Sequence, residues 1–406
     1  MKKILRFPDG FLWGAATASY QVEGGIENCD WAEASRKGRV PICARACNHY
    51  NLYESDFDIV QNLGHNCHKI SIEWARIEPE EGVFDLNEAA HYKNVIASLR
   101  MRGLEPFVNL WHFTLPLWFS RSGGFENPQS VERFTRYAEF VAKEILGDVK
   151  FVLTINEPLV WAGNGYMHGK WPPFKKNPQA YKKVWGNLVK AHIAAYKTIK
   201  LIRPEAQIGI AKHNMYFKAL GPNPIQYIRE ALYKYFWNRR FLNKIKNHQD
   251  FIGLNFYFYR PLGKPFGKTF EKLPPLPKSD MGWDIFPEGI YHALMELTQY
   301  HKPIYVVENG LADADDSRRE AFIRGYVANV HRAIENGAPI RGYMHWSLLD
   351  NYEWAEGFEK RFGLVEIDYK TLERHIRPSA YFYKNICETN TLELEEPELE
   401  LKSEKY

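Results

Sequence analysis

Phe151-Val152-Leu153-Thr154-Ile155-Asn156-Glu157 is a short apolar, β-branched run that ends on an amide and a carboxylate. A run of this length bounded by polar residues reads as a fully buried strand, and its polar end reads as the place where that strand leaves the core. The same pattern recurs along the chain, at Phe11 to Thr17, His68 to Trp74, Glu105 to His112, Gln207 to His213, Phe251 to Tyr257, Ile304 to Asn309 and Gly342 to Leu348. Helical stretches lie between these runs. In Gln129 to Leu146, Val131, Phe134, Tyr137, Ala138, Val141, Ala142 and Ile145 recur at three and four residues, with Asn127 and Pro128 ahead as cap and first position. Tyr181 to Ile202 and Arg318 to Glu335 repeat the pattern.

Strands alternating with helices, with no break in composition, predict a parallel sheet. Eight of them in one chain predict a (β/α)8 barrel over residues 1-388, with its active site at the C-terminal ends of the strands. An open doubly wound sheet is the alternative. Thr391 to Tyr406 alternates Leu and Glu with too little bulk for a core, and residues 389-406 read as an acidic tail, disordered or loosely docked.

The barrel reading requires polar and aromatic side chains to gather at the strand ends. Those ends carry Arg76, His112, Asn156 with Glu157, His213 with Asn214, Asn255 with Tyr257, Glu308 with Asn309, and Trp346 with Ser347. A carboxylate there is enclosed by helices outside and side chains within, so it is costly unless paired or used. One such Glu reads equally well as half of a buried salt bridge. Two of them, Glu157 and Glu308, among Trp, His and Asn match what glycoside hydrolysis needs: one group to protonate the leaving oxygen, one to meet the cation-like carbon.

The bulk properties agree. The chain has 406 residues, 45% hydrophobic and 25% charged, with an aromatic content of 15% that suits sugar stacking as well as core filling. No apolar run is long enough to span a membrane, and Arg6, Pro8 and Asp9 interrupt any signal-peptide core, so a cytoplasmic location is expected. The five cysteines lack a disulfide-framework spacing and read as reduced thiols. Cys43, Cys47, His49, Cys67 and His68 lack the spacing of a structural zinc site, so no metal is expected. The net charge of +4 calls for no polyanion, and neither a nucleic acid nor a membrane is an expected partner. Tyr233 to His248 is basic and aromatic, but Ile225, Ile228, Leu232, Tyr235, Phe236, Leu242 and Ile245 fall mostly on one stripe, which reads as a core-facing helix with a solvated basic side.

The chain resembles glycoside hydrolase family 1, the β-glucosidase and β-galactosidase family, from about Phe7 to Tyr383. The resemblance rests on the opening Phe7-Pro8-Asp9-Gly10-Phe11-Leu12-Trp13-Gly14 through Tyr20-Gln21-Val22-Glu23-Gly24, on Thr154-Ile155-Asn156-Glu157-Pro158, on Val306-Val307-Glu308-Asn309-Gly310, and on Trp346-Ser347-Leu348-Leu349-Asp350-Asn351-Tyr352-Glu353-Trp354. It implies a retaining exo-β-glycosidase for β-D-glucosides or β-D-galactosides, working without cofactor. Glu308 is then the nucleophile and Glu157 the acid/base. Gln21, His112, Asn156, Glu353 and Trp354 bind sugar hydroxyls over Trp346 as a stacking floor. Tyr257 and Arg76 support the nucleophile, and Trp283 faces the leaving group. A carboxylate at Glu353 repels a phosphorylated sugar, so a neutral small-molecule or oligosaccharide β-glycoside is the expected ligand.

The sequence departs from the family pattern at Val307, at Phe113-Thr114 and at Trp171-Pro172-Pro173, and the stretch from His213 to Phe251 is short. Predominant transfer to another sugar remains compatible with the same residues. A non-catalytic sugar-binding barrel is disfavoured because both carboxylates are present.

Overall fold

A computed structural model describes residues 3–221, 223–263 and 275–394. Eight parallel strands close into a barrel: β1 (Leu12–Ala16), β2 (Cys67–Ser71), β3 (Glu105–Asn109), β4 (Phe151–Asn156), β5 (Gln207–Ala219), β6 (Ile252–Leu262), β7 (Ile304–Asn309) and β8 (Ile340–Trp346). Each pairs with the next, and β1 pairs with β8, Leu12 opposite Gly342 and Ala16 opposite Trp346. The closed barrel, not the open sheet, is therefore the fold, and each predicted run overlaps one of its strands.

The helices follow the predicted stripes. Ser130–Glu144 buries Phe134, Tyr137, Ala138, Val141 and Ala142. The next long helix begins at Pro178 rather than Tyr181, because the Asn177 side chain accepts from the amides of Gln179 and Ala180 and Pro178 fits the first helical position. Inside the barrel the lower layer is apolar: Cys67, Phe107, Phe151, Leu153, Ala211, Phe251, Tyr305, Val307 and Met344 pack together. Phe107 and Phe151 stack with centroids 4.3 Å apart. This layer is a floor beneath the strand ends, so the barrel is a cup and not a pore.

Two expectations need correction. The predicted tail contributes a strand: Thr391–Leu394 pairs antiparallel with Lys3–Arg6, Leu5 opposite Leu392. Alternation explains it, since Leu392 and Leu394 turn inward and are buried while Glu393 between them faces out. Asn390 locks the junction, accepting from the Trp13 indole at 2.9 Å and donating to the Phe7 carbonyl at 3.0 Å. Residues 395–406 lie outside the described residues. The second correction concerns the basic aromatic segment. Phe241, Leu242 and Ile245 do face the core, but Ile225, Ile228, Leu232, Tyr235 and Phe236 are exposed.

Truncation after Asn390 tests the first correction. Losing two buried leucines, each worth about 1.5 kcal/mol or more, should lower unfolding stability by roughly 3 kcal/mol. A denaturation midpoint unchanged from the full chain is the outcome expected of a disordered tail.

Candidate active site

Register shifts interrupt the barrel ladders at, among other places, Leu153 to Asn156 on β4, Leu254 to Asn255 early in β6, opposite Val306 and Glu308, and Val306 to Asn309 on β7. Such irregularities re-aim side chains where a ladder terminates. Here they fall beside Asn156, Asn255 and Glu308. Glu157 follows β4 in the left-handed region, φ 42° and ψ 59°, and caps the short helix Pro158–Ala162. A non-glycine residue held in that region carries strain that its surroundings must offset. Its amide is anchored by donating to the Ala211 carbonyl at 2.8 Å. After β7, Gly310 lets two strand ends converge: a Cβ there would sit 1.6 Å from the Trp346 carbonyl oxygen.

Glu157 and Glu308 are both buried, in different company. Glu308 Oε1 accepts from the Lys69 ammonium at 2.5 Å and Oε2 from the Tyr257 hydroxyl at 3.0 Å. Among the described residues, Glu157 Oε1 accepts an amide hydrogen bond alone, from Asn255 Nδ2 at 2.8 Å. The two halves meet at Asn156 Oδ1, which accepts from Lys69 at 3.0 Å and from Asn255 at 3.4 Å. Glu157 and Glu308 are thus the ends of one hydrogen-bonded chain. Burial first, and then the charge of Glu308, push the Glu157 carboxyl up to about 8, against the opposing Asn255 hydrogen bond and the charges of Lys69 and Lys212. Burial and Glu308 also raise Tyr257 well above its usual range, which keeps its hydroxyl a donor.

Above this pair opens a cavity of about 720 Å³ lined by Gln21, His112, Trp283, Trp346, Glu353 and Trp354 among others. His112 Nε2 takes the Asn156 amide hydrogen, 3.2 Å, so its other nitrogen bears the hydrogen; burial, and then Lys69, hold the ring neutral. The Gln21 amide donates to the Asn351 side chain at 2.9 Å, the Tyr352 carbonyl at 2.8 Å and Glu353 Oε2 at 3.4 Å. Burial, then Glu308 and Glu157, raise Glu353 to about 8. Three cavity-lining side chains keep a buried polar atom with no partner among the described residues: Gln21 Oε1, His112 Nδ1 and His213 Nε2. Unpaired buried polar atoms are costly, and a ligand rich in hydroxyls satisfies them. Flat aromatic surface lies beside these atoms, with Trp346 and Trp354 each near-parallel to the His112 ring at 6.0 and 5.9 Å.

Of the site residues expected from the sequence, all but one come together in this cavity or against its carboxylates. The exception is Arg76. Strand β2 ends at Ser71, and Arg76 lies beyond it in the helix Trp74–Ile77, where its guanidinium donates to Glu23 at 2.9 Å and to the Gly24 carbonyl at 2.6 Å and stacks on Tyr50. It makes no contact with Glu308. The cation beneath Glu308 is Lys69, which sequence reading passed over. The signal was present: Lys69 is a lone charge in the otherwise unbroken strand Cys67–Ser71, alternating in phase with Cys67 of the barrel interior. Asn255 and His213 were noted as strand-end residues but given no role.

Comparison with known proteins adds the lineage. The family model for glycosyl hydrolase family 1 matches residues 4–245 and 226–392. Beta-glucosidase A of Thermotoga maritima is 33% identical over 96% of this chain and 99% of its own. The beta-galactosidase of Pyrococcus woesei is 31% identical over 95% of this chain and 97% of its own. Among solved structures, the beta-glycosidase from Pyrococcus horikoshii superposes with a TM-score of 0.88 at 39% identity, covering 99% of both chains. Sequence, barrel and lineage agree, and the chain belongs to glycosyl hydrolase family 1.

Proposed function

We propose that this chain is a retaining exo-β-glycosidase for neutral β-D-glucosides or β-D-galactosides. The observation that carries the reading is the unequal solvation of two linked carboxyl groups: Glu308 is held by an ammonium and a phenol, Glu157 by one amide. Environments that drive two neighbouring carboxyl groups apart assign one as base or nucleophile and the other as acid.

A Glu308 oxygen attacks the anomeric carbon from one face while the bond to the aglycone oxygen breaks, and the Glu157 proton goes to that oxygen. A sugar ester of Glu308 results. Glu157, now a carboxylate, takes a proton from water as the water oxygen attacks the same carbon, and Glu308 departs with its electron pair. Two inversions give retention. Lys69 supplies the fixed positive charge that the resemblance led one to expect from Arg76, and Tyr257 orients the second oxygen. Gln21, His112, Asn156, Glu353 and Trp354 take sugar hydroxyls, Trp346 floors the ring, and Trp283 meets the aglycone. The closed apolar floor limits the cup to a terminal sugar, which supports exo action. We also infer a cytoplasmic location, supported by five buried cysteines that remain free thiols.

The roles separate by substitution. Glu308→Ala should abolish turnover of ordinary β-glycosides. Glu157→Ala should show a burst with an activated aryl glycoside and then stall, and azide should release a β-glycosyl azide. Equal loss on activated and unactivated substrates, or an α-azide, overturns the assignment.

The pH profile follows from the acid. Glu157 must be protonated in the first step, so activity is present below its pKa and lost as pH rises through it. The alkaline limb of kcat/KM for unactivated glycosides should therefore centre near pH 8 and disappear in Glu157→Gln. A limb that persists in that variant belongs to another group.

Lys69 has its own test. Lys69→Met leaves the Glu308 charge buried without its cation, so kcat/KM should fall by about 10² or more. A kcat/KM like that of the wild type removes Lys69 from the account.

A further inference from the structure

The helix Pro224–Tyr233 is built inside out. Only Gln226 is buried. Its polar side chains face the body: Arg229 donates to Gln226 Oε1 at 2.9 Å and to the Gly263 carbonyl at 3.1 Å, and Glu230 accepts the Ala219 amide at 2.6 Å and pairs with Lys234. The apolar residues face away. Ile225, Ile228, Leu232, Tyr235 and Phe236 recur at three and four residues, and all are at least 45% exposed. A contiguous apolar stripe of this kind is costly in water and marks an interaction surface.

Its surroundings indicate what it meets. Between residues 223 and 248 the chain carries six Lys or Arg and one Glu, more net positive charge than the whole protein's +4. Of these, Lys244 and Lys246 are exposed, and Arg240 stacks over Phe236. Tyr227 and Tyr233, both exposed, add amphipathic rings beside the stripe. An exposed apolar stripe with tyrosines and flanking cations matches an interfacial helix lying in the headgroup layer of an anionic bilayer. A second copy of this chain fits less well, since face-to-face pairing brings two strongly basic segments together.

We propose that this helix docks the enzyme peripherally on an anionic lipid surface. This departs from the sequence expectation of no membrane partner, and it needs no spanning segment: among the described residues no helix is long and apolar enough to cross a membrane. The docked face lies beside the cavity mouth, because Trp237, next to Phe236, lines that cavity.

Flotation of the full chain with vesicles tests it. The protein should float with phosphatidylglycerol–phosphatidylcholine vesicles, less with phosphatidylcholine alone, and less as salt rises. The double variant Ile228→Ser with Leu232→Ser should bind the anionic vesicles at least about tenfold more weakly while hydrolysing a soluble chromogenic β-glucoside like the wild type, which reports an intact fold. The lipid and salt comparisons stand on the wild type alone. Absence of flotation with either vesicle, equal flotation of the double variant, or a solution dimer that this variant breaks without any vesicle binding overturns the proposal.

Discussion

The buried ion pair of Lys69 and Glu308, 2.5 Å apart with both side chains almost wholly enclosed, is the constraint on which the rest of the site depends. Removing one partner from such a pair leaves an uncompensated charge and typically costs 3–5 kcal/mol. The pair is tolerated because further groups complete its solvation, Tyr257 on the carboxylate and Asn156 on the ammonium. One cation cannot serve every carboxyl group in the cup. Glu157 and Glu353 lie in the field of Glu308 without an ammonium bonded to either, and both are pushed toward the protonated form. The division of labour between the two catalytic carboxyl groups is thus a consequence of Lys69 bonding Glu308 and not Glu157.

Geometry delivers that arrangement from rigid elements. The strands meet at a filled apolar floor, so the polar layer above it cannot sink, and the irregularities at Asn156 on β4, Asn255 on β6 and Glu308 on β7 turn individual side chains toward the cavity. Loops then add the sugar-facing groups. Gln21 and Glu353 are distant in sequence, yet the Gln21 amide ties the loop after β8 to the segment after β1 through Asn351, Tyr352 and Glu353. Sites fixed by strand ends and cross-linked loops hold their geometry better than sites on a single free loop.

Much of this was legible in the chain. Buried parallel strands have a distinctive apolar, β-branched composition, and runs such as Phe151 to Glu157 end on the polar groups that a barrel mouth requires. The errors share a physical origin. The resemblance implies that Arg76 supports the nucleophile, but the strand stops at Ser71 and the chain turns away; the in-and-out alternation through Cys67 and Lys69 is the better guide. At Leu392 and Leu394 the apolar residues are too few to announce a strand until their partner Lys3–Arg6 is known. For Ile225 to Phe236, periodicity establishes that a helix has two unlike faces and carries no sign for which faces the protein. Only the buried polar contacts of Gln226, Arg229 and Glu230 supply that sign.

The central claim is that Glu308 forms a covalent bond to the sugar. It is tested most directly by treating the enzyme with a 2-deoxy-2-fluoro-β-glucoside bearing a good leaving group, which slows both steps but lets the first outrun the second, and then mapping the adduct by peptide mass spectrometry. The account predicts one fluoroglucosyl group per chain, carried on Glu308 and shed on adding an acceptor sugar. An adduct on Glu157, or turnover of natural glycosides with inversion and no adduct, would contradict it.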